Sequence, residues 1–263
     1  MNRKPSKQAL RHRTSAHYDK YPFVFDQEGI LKEKLYHRIM GSAILNAPRP
    51  NPIILDVGSG MCRVARMVRE AINGKAISVD ISLQTLQRAK AINPDPMVNG
   101  DNTSLPFRSN CADLVISNGV IMVTPDVRAS FRELVRVTKP GGTLVVSVYN
   151  RNSWYYYVYT YLGAVIRRLR SLIGDIGLMI TLFPLFHLSV IVLMSLVTRR
   201  LFIFPLRTSW NLFHDQFTTP HCTFHTSEEL NEWLQAEGLV CEEQRKEAAN
   251  QLLTLRSKKP YPS

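Results

Sequence analysis

Cysteine is scarce and scattered. The four residues, Cys62, Cys111, Cys222 and Cys241, contain no Cys-x-x-Cys pair, which excludes a disulfide framework and a zinc ribbon and suits a reducing compartment. Acid is also short, with 21 Asp and Glu against 33 Lys and Arg, a formal charge of +12. So basic a chain implies an anionic partner, nucleic acid or an acidic membrane surface, and charge alone does not choose between them. The opening Met1-Asn2-Arg3-Lys4-Pro5-Ser6 has no apolar run, so no secretory signal is expected. A third glycine is missing too. Gly58 and Gly60 are followed by Arg63 where Gly-x-Gly-x-x-Gly would place its last glycine, which weakens a nicotinamide-dinucleotide reading.

What is present begins with Ile53-Ile54-Leu55-Asp56-Val57-Gly58-Ser59-Gly60. Large aliphatics ending in an acid and a glycine turn predict a buried parallel strand that runs into a helix. Glycines there let backbone approach a ligand, and the helix that follows is expected to aim free amides into the bend, as at phosphate or nucleoside sites. The periodicity then predicts a helix over 62–73 capped by Asn73-Gly74 and a strand over 76–80. Asp80 lies about twenty residues past the glycine turn, where nucleotide-binding βαβ units set an acid against ribose hydroxyls, with Ile81 beside it. Further elements are a helix over 82–91 with Ser82 as its cap, strands over 97–99, 112–117 and 143–149, and a helix over 125–138 ended by Lys139-Pro140-Gly141-Gly142. Thr226-Ser227-Glu228-Glu229 is a capping box, and 240–245 with 251–256 reads as a closing antiparallel pair.

The glycine turn, Gly100-Asp101-Asn102 with Leu105-Pro106-Phe107, and Arg132-Glu133-Leu134 through Gly142 occur in order. Together they resemble class I S-adenosylmethionine (SAM) methyltransferases, in particular the branch of ubiquinone and menaquinone biosynthesis, with Cys62 where that family has its last glycine. The resemblance covers about residues 50–150 and resumes at Thr226. It implies an α/β fold, a Rossmann-like, mostly parallel sheet with its last strand antiparallel, and SAM as cofactor. It also implies that Asp56, Gly58, Ser59 and Gly60 line the methionine side, Asp80 and Ile81 the ribose, and Asp101 and Asn102 the adenine. Ser117 and Asn118 border the transfer point. Tyr18 and Tyr21 suit a segment that folds over the pocket, in an arm and helix over 1–50 that includes a helix over 28–46.

Residues 151–210 form an insertion between the SAM-binding core, 51–150, and a C-terminal part, 211–263, that completes the sheet. It opens with Trp154-Tyr155-Tyr156-Tyr157, passes Arg167-Arg168-Leu169-Arg170 and runs uncharged from Ile176 to Thr198 before Arg199-Arg200. That length suffices for a bilayer span of ~20 residues. A single crossing fails on topology, since flanking strands join one sheet. Pro184 is expected to divide the run into two arms of about twelve residues, a hairpin dipping into one leaflet. The expected partners are therefore a small lipophilic acceptor and, through 172–200, the cytoplasmic face of a membrane, with nucleic acid disfavoured. A helical lid packed on its own domain, serving a soluble metabolite or glycan, is the competing reading, and a SAM-binding scaffold without catalysis is a further one. His214-Asp215-Gln216 and His221-Cys222-Thr223-Phe224-His225 match no standard zinc spacing, so no metal is expected. His214 or His221 is instead expected as a general base at the active-site mouth.

Overall fold

A computed structural model describes residues 5–23 and 50–261, and the helix expected over 28–46 lies outside them. The first element is α1 (Lys7–Lys20), capped by the Ser6 side chain. Strand β1 (Ile53–Val57) is central to the sheet and alternates as its residues require: Leu55 and Val57 face one side, Ile54 the other. It is followed by α2 (Arg63–Ile72), β2 (Lys75–Asp80), α3 (Leu83–Ala89), β3 (Met97–Asn99), β4 (Ala112–Asn118), α4 (Val127–Val137) and β5 (Thr138–Tyr149). Near the C-terminus come α9 (Ser227–Ala236), β6 (Val240–Glu247) and β7 (Leu252–Lys258).

The seven strands lie in the order β3-β2-β1-β4-β5-β7-β6. Pairings from β3 through β5 are parallel, and β7 runs antiparallel to both neighbours, closing the sheet as expected. One face packs Leu55, Val115, Val146 and Leu253 against Phe131 and Leu134 of α4 and Trp233 of α9. The other packs Ile54, Ile116 and Val145 on Ala65 and Val68 of α2. Strand order turns away from β1 in both directions, so the crevice beyond the carboxyl ends of β1 and β4 is where such a sheet takes its ligand.

Lys139-Pro140-Gly141-Gly142 does not separate helix from strand. It is a bulge inside β5: Thr138 pairs with Ala112 and Thr143 with Leu114, with Gly141 at φ +73° and Lys139 Nζ 2.7 Å from Asp113.

The insertion forms a lid of helices: α5 (Trp154–Tyr157), a wider turn over Val158–Leu162, α6 (Gly163–Thr181), α7 (Phe183–Thr198) and α8 (Leu206–Phe217), the last crossing position 210. Ile166, Leu178, Phe183, Phe213 and Phe217 share one cluster, with Leu169, Phe186 and Trp210 against it. The expected hairpin at Pro184 is not formed. Pro184 sits in the first turn of α7, where its missing N–H breaks no helical bond, and the chain bends there by 46°. A second break lies at Gly174, whose φ of 68° and ψ of −174° interrupt α6. Among the described residues no single helix is long and apolar enough to cross a membrane.

Candidate active site

A cavity of about 1440 Å³ opens over the carboxyl ends of β1, β2 and β4 and reaches under the lid. Asp56, Gly58, Ser59, Gly60, Asp80, Ile81, Asp101, Asn102 and Asn118 all line it. Ser117 does not; it is fully buried, its hydroxyl without a partner among the described residues.

The glycine turn differs from its expected form in one instructive way. Its amides are not free: Gly58 and Ser59 donate to the Val79 carbonyl at 2.7 and 2.9 Å, and Gly60 donates to Asp80 at 2.8 Å. The start of α2 is closed as well, because Ala65 N–H donates to the Asp56 carboxylate at 3.0 Å. With these donors taken, the turn offers a ligand room for close approach more than N–H groups of its own. Gly58 at φ +78° leaves no room for a side chain, since a Cβ would fall 2.3 Å from Val120 Cγ1. Gly60, at φ +52°, is open: among the described residues a Cβ there meets nothing closer than the Phe23 carbonyl at 4.0 Å. Cys62 also adopts the left-handed region, φ 58° and ψ 26°, the conformation for which a glycine would be the natural choice.

Burial raises both carboxyls at this end above their ordinary range. Burial pushes Asp56 up to about 7, partly countered by the Ala65 amide and reinforced by Asp80. Burial raises Asp80 too, against the amides of Ser82 and Gly60. Asp101 accepts the Thr103 N–H at 2.9 Å and pairs with Arg11 of α1 at 3.0 Å, so α1 closes over this end of the cavity. Further ties are Ser15 to the Ile81 carbonyl and Asp19 to Ser82 at 2.6 Å. The loop after Asp101 is fixed from α4: Glu133 accepts Leu105 N–H at 2.7 Å and both arms of Arg136, whose guanidinium also reaches the Leu105 and Phe107 carbonyls. The Arg132-Glu133-Leu134 segment, with Arg136, thereby holds the Leu105-Pro106-Phe107 loop in place.

Asn118 presents an amide oxygen that no group pairs among the described residues. From there the cavity continues past Tyr18, Tyr149, Asp215 and Gln216 to Phe186, Val190, Leu193 and Met194 of α7. Neither expected histidine is at the cavity. His214 is fully buried, stacked on Tyr21 at 3.7 Å and bonded through Nδ1 to Thr218 at 2.7 Å. Burial, with Arg170 nearby, pushes it down to about 3, so it stays neutral and packs α8 on α1. His221 is half-buried and also off the cavity, its pKa lowered by burial. The group missed from the sequence is Asp215. On α8, Leu212, Asp215 and Gln216 share the cavity face, while Trp210, Phe213, His214 and Phe217 face the lid and α1. A helical wheel carries that separation, which a tally of histidines hides.

Residues 55–146 match the family described as methyltransferase domain. A demethylmenaquinone methyltransferase of Streptomyces griseus is 29% identical over 135 residues, 51% of this chain and 57% of its own. The human mitochondrial arginine-hydroxylase NDUFAF5 is 27% identical over 126 residues, 48% of this chain and 36% of its own. The chain thus spans little more than half the length of the first of these relatives. In solved structures, a chain from the complex of the Haloferax volcanii Trm112 methyltransferase activator with a methyltransferase superimposes with a TM-score of 0.56 at 16% identity, covering 96% of this chain and 98% of that one. With strand order, cavity and the match over 55–146 in agreement, residues 55–146 are a methyltransferase domain, set in a sheet with the fold of class I SAM-dependent methyltransferases.

Proposed function

We propose that the chain transfers the methyl group of SAM to a small lipophilic acceptor taken up from an anionic, cytoplasm-facing membrane surface. When bound, SAM supplies a sulfonium methyl already activated for in-line displacement. The chain's own residues position it and exclude water. Gly58 and Gly60 give room for close approach, the carboxyl groups of Asp56, Asp80 and Asp101 suit a ligand with hydrogen-bond donors and sugar hydroxyls, and Asn118 lines the cavity between them and the lid.

The observation that carries the acceptor class is that α7 is apolar on both faces. Phe186, Val190 and Met194 line the cavity, while Leu185, Leu188, Val192 and Leu196 stand 69, 59, 50 and 72% exposed. A helix apolar all round is stable where both sides meet apolar matter, and the exposed row extends to Leu172, Ile176, Ile180, Leu201 and Ile203. Arg168, Arg199, Arg200 and Arg207 are exposed beside it, in keeping with anionic headgroups worth ~1 kcal/mol per basic residue. The packed lid remains the second reading because Phe183, Phe213 and Phe217 already anchor these helices to one another.

The test incubates labelled SAM with vesicles of phosphatidylglycerol carrying a bacterial lipid extract and, separately, with the aqueous fraction. Label is expected in the lipid phase, and Leu185, Leu188 and Val192 replaced together by Ser should lower vesicle binding on the order of a hundredfold, each change forfeiting roughly 1 kcal/mol of burial. S-adenosylhomocysteine (SAH) binding should be unchanged in that variant. Label only in the aqueous fraction would favour the packed lid instead.

A second expectation concerns the adenine loop. Glu133→Ala removes the acceptor for Leu105 N–H and frees Arg136. SAH affinity, measured by calorimetry, should fall about tenfold, since a charge-assisted bond contributes ~1.5–3 kcal/mol and the pair is partly exposed.

A further inference from the structure

Asp215 is only 8% exposed, yet no basic side chain reaches its carboxyl among the described residues. Its partners are neutral: Tyr18 of α1 donates to Oδ1 at 3.3 Å and Gln216 to Oδ2 at 2.9 Å. The groups that face it from β5, from the start of the lid and from the loop after α8 are Tyr149, Tyr155, Tyr159 and Cys222, each of which burial keeps protonated. A buried carboxylate without a counter-charge is unfavourable by several kcal/mol, so its retention here points to a use. It lines the same cavity as Asn118 at one end and Val190, Leu193 and Met194 at the other, beside the polar tips of Tyr18, Tyr149 and Gln216.

We propose that Asp215 is the proton acceptor of the transfer, taking the proton from an acidic, ring-borne hydroxyl of the acceptor, a phenol or enol, as that oxygen is methylated. The proposal rests on the SAM reading above. The oxygen–carbon bond forms while the carbon–sulfur bond breaks with its electron pair left on sulfur. The hydroxyl proton passes to an Asp215 carboxylate oxygen and leaves later to water. Tyr18, which shares that carboxylate, is a positioning residue. Burial lifts Asp215 to about 6, against the hydrogen bonds from Gln216 and Tyr18, so it is ionised at neutral pH and a stronger base than an exposed carboxylate. A phenol at about 10 is within reach of such a base in a concerted step. An ammonium group would instead be held as an ion pair, its lone pair blocked by the proton.

The probe is 2-naphthol, a photoacid that emits as its anion inside a dry pocket only when a base touches the hydroxyl. Bound to the wild type, with or without SAH, it is expected to emit as naphtholate, and the signal should fade as pH falls through about 6. Asp215→Asn should bind the probe and emit as neutral naphthol, and Asp215→Glu should restore the anion band. SAH affinity should be the same in all three. Equal naphtholate emission from Asp215→Asn, neutral emission from the wild type, or failure of 2-naphthol to bind would each overturn the assignment. Loss of SAH binding by the wild type would instead overturn the SAM reading, leaving the naphthol result to stand on its own.

Discussion

Gly58→Ala is expected to lower the unfolding free energy by roughly 2–5 kcal/mol and to abolish measurable SAH binding. Two independent terms add. The residue sits at φ +78°, where any L side chain is disfavoured by ~1–2 kcal/mol. The new Cβ would also fall 2.3, 2.5 and 2.7 Å from three atoms of the Val120 side chain. Val120 is β-branched and lines the cavity, so it cannot swing aside without entering the ligand's space, and such overpacking costs about 1–3 kcal/mol. For a chain of this length the Tm should fall by about 10 °C. Combining the change with Val120→Ala separates the terms: the steric part should be recovered and the conformational part should remain. Simple additivity in the double variant would show that the clash is relieved in some other way.

Buried acids should also set a pH dependence. Asp56 and Asp215 ionise at about 7 and about 6 in the folded protein against 3.8 for the free group. A carboxyl raised in this way holds its proton longer folded than unfolded, so its contribution is fully present below pH 3.8 and is lost as pH climbs through its folded value. Each is worth on the order of 3 kcal/mol by pH 7.5. His17 and His214, which burial holds down to about 4 and about 3, act in the opposite sense up to pH 6.5 and flatten the wild-type curve. The comparison of variant with wild type is therefore the decisive one. Asp56→Asn and Asp215→Asn should match the wild type at pH 4 and exceed its denaturant stability by roughly 2–3 kcal/mol at pH 7.5 in the absence of SAM. Equal stability at both pH values would show that these carboxyls are not held near neutrality.

Much of this was legible in the chain because it is local. The strand ending in Asp56, the spacing from the glycine turn to Asp80 and the capping box at Thr226 each depend on neighbours within a few tens of residues, and the sheet follows from their order. What escaped depends on partners far away in sequence. Glycine freedom at Gly58 is visible in the sequence, but the Val79 carbonyl that takes its amide is not. The insertion's apolar run shows a break near Pro184, whereas the one at Gly174 adjoins Asp175, which binds Arg170 beside it and Lys20 and Tyr21 at the end of α1. His214 was expected at the site because histidines titrate near neutral pH, yet the stack of Tyr21 and Trp210 around it can be seen only in three dimensions.

That contact between Asp175 and the end of α1 couples the two entrances. One helix is tied through Arg11 to Asp101 after β3 and at its other end, through Lys20 and Tyr21, to Asp175 of the lid. A movement of α1 away from Asp101 therefore has to carry the lid with it or break the ties to Asp175, so displacement at one end of this helix is felt at the other.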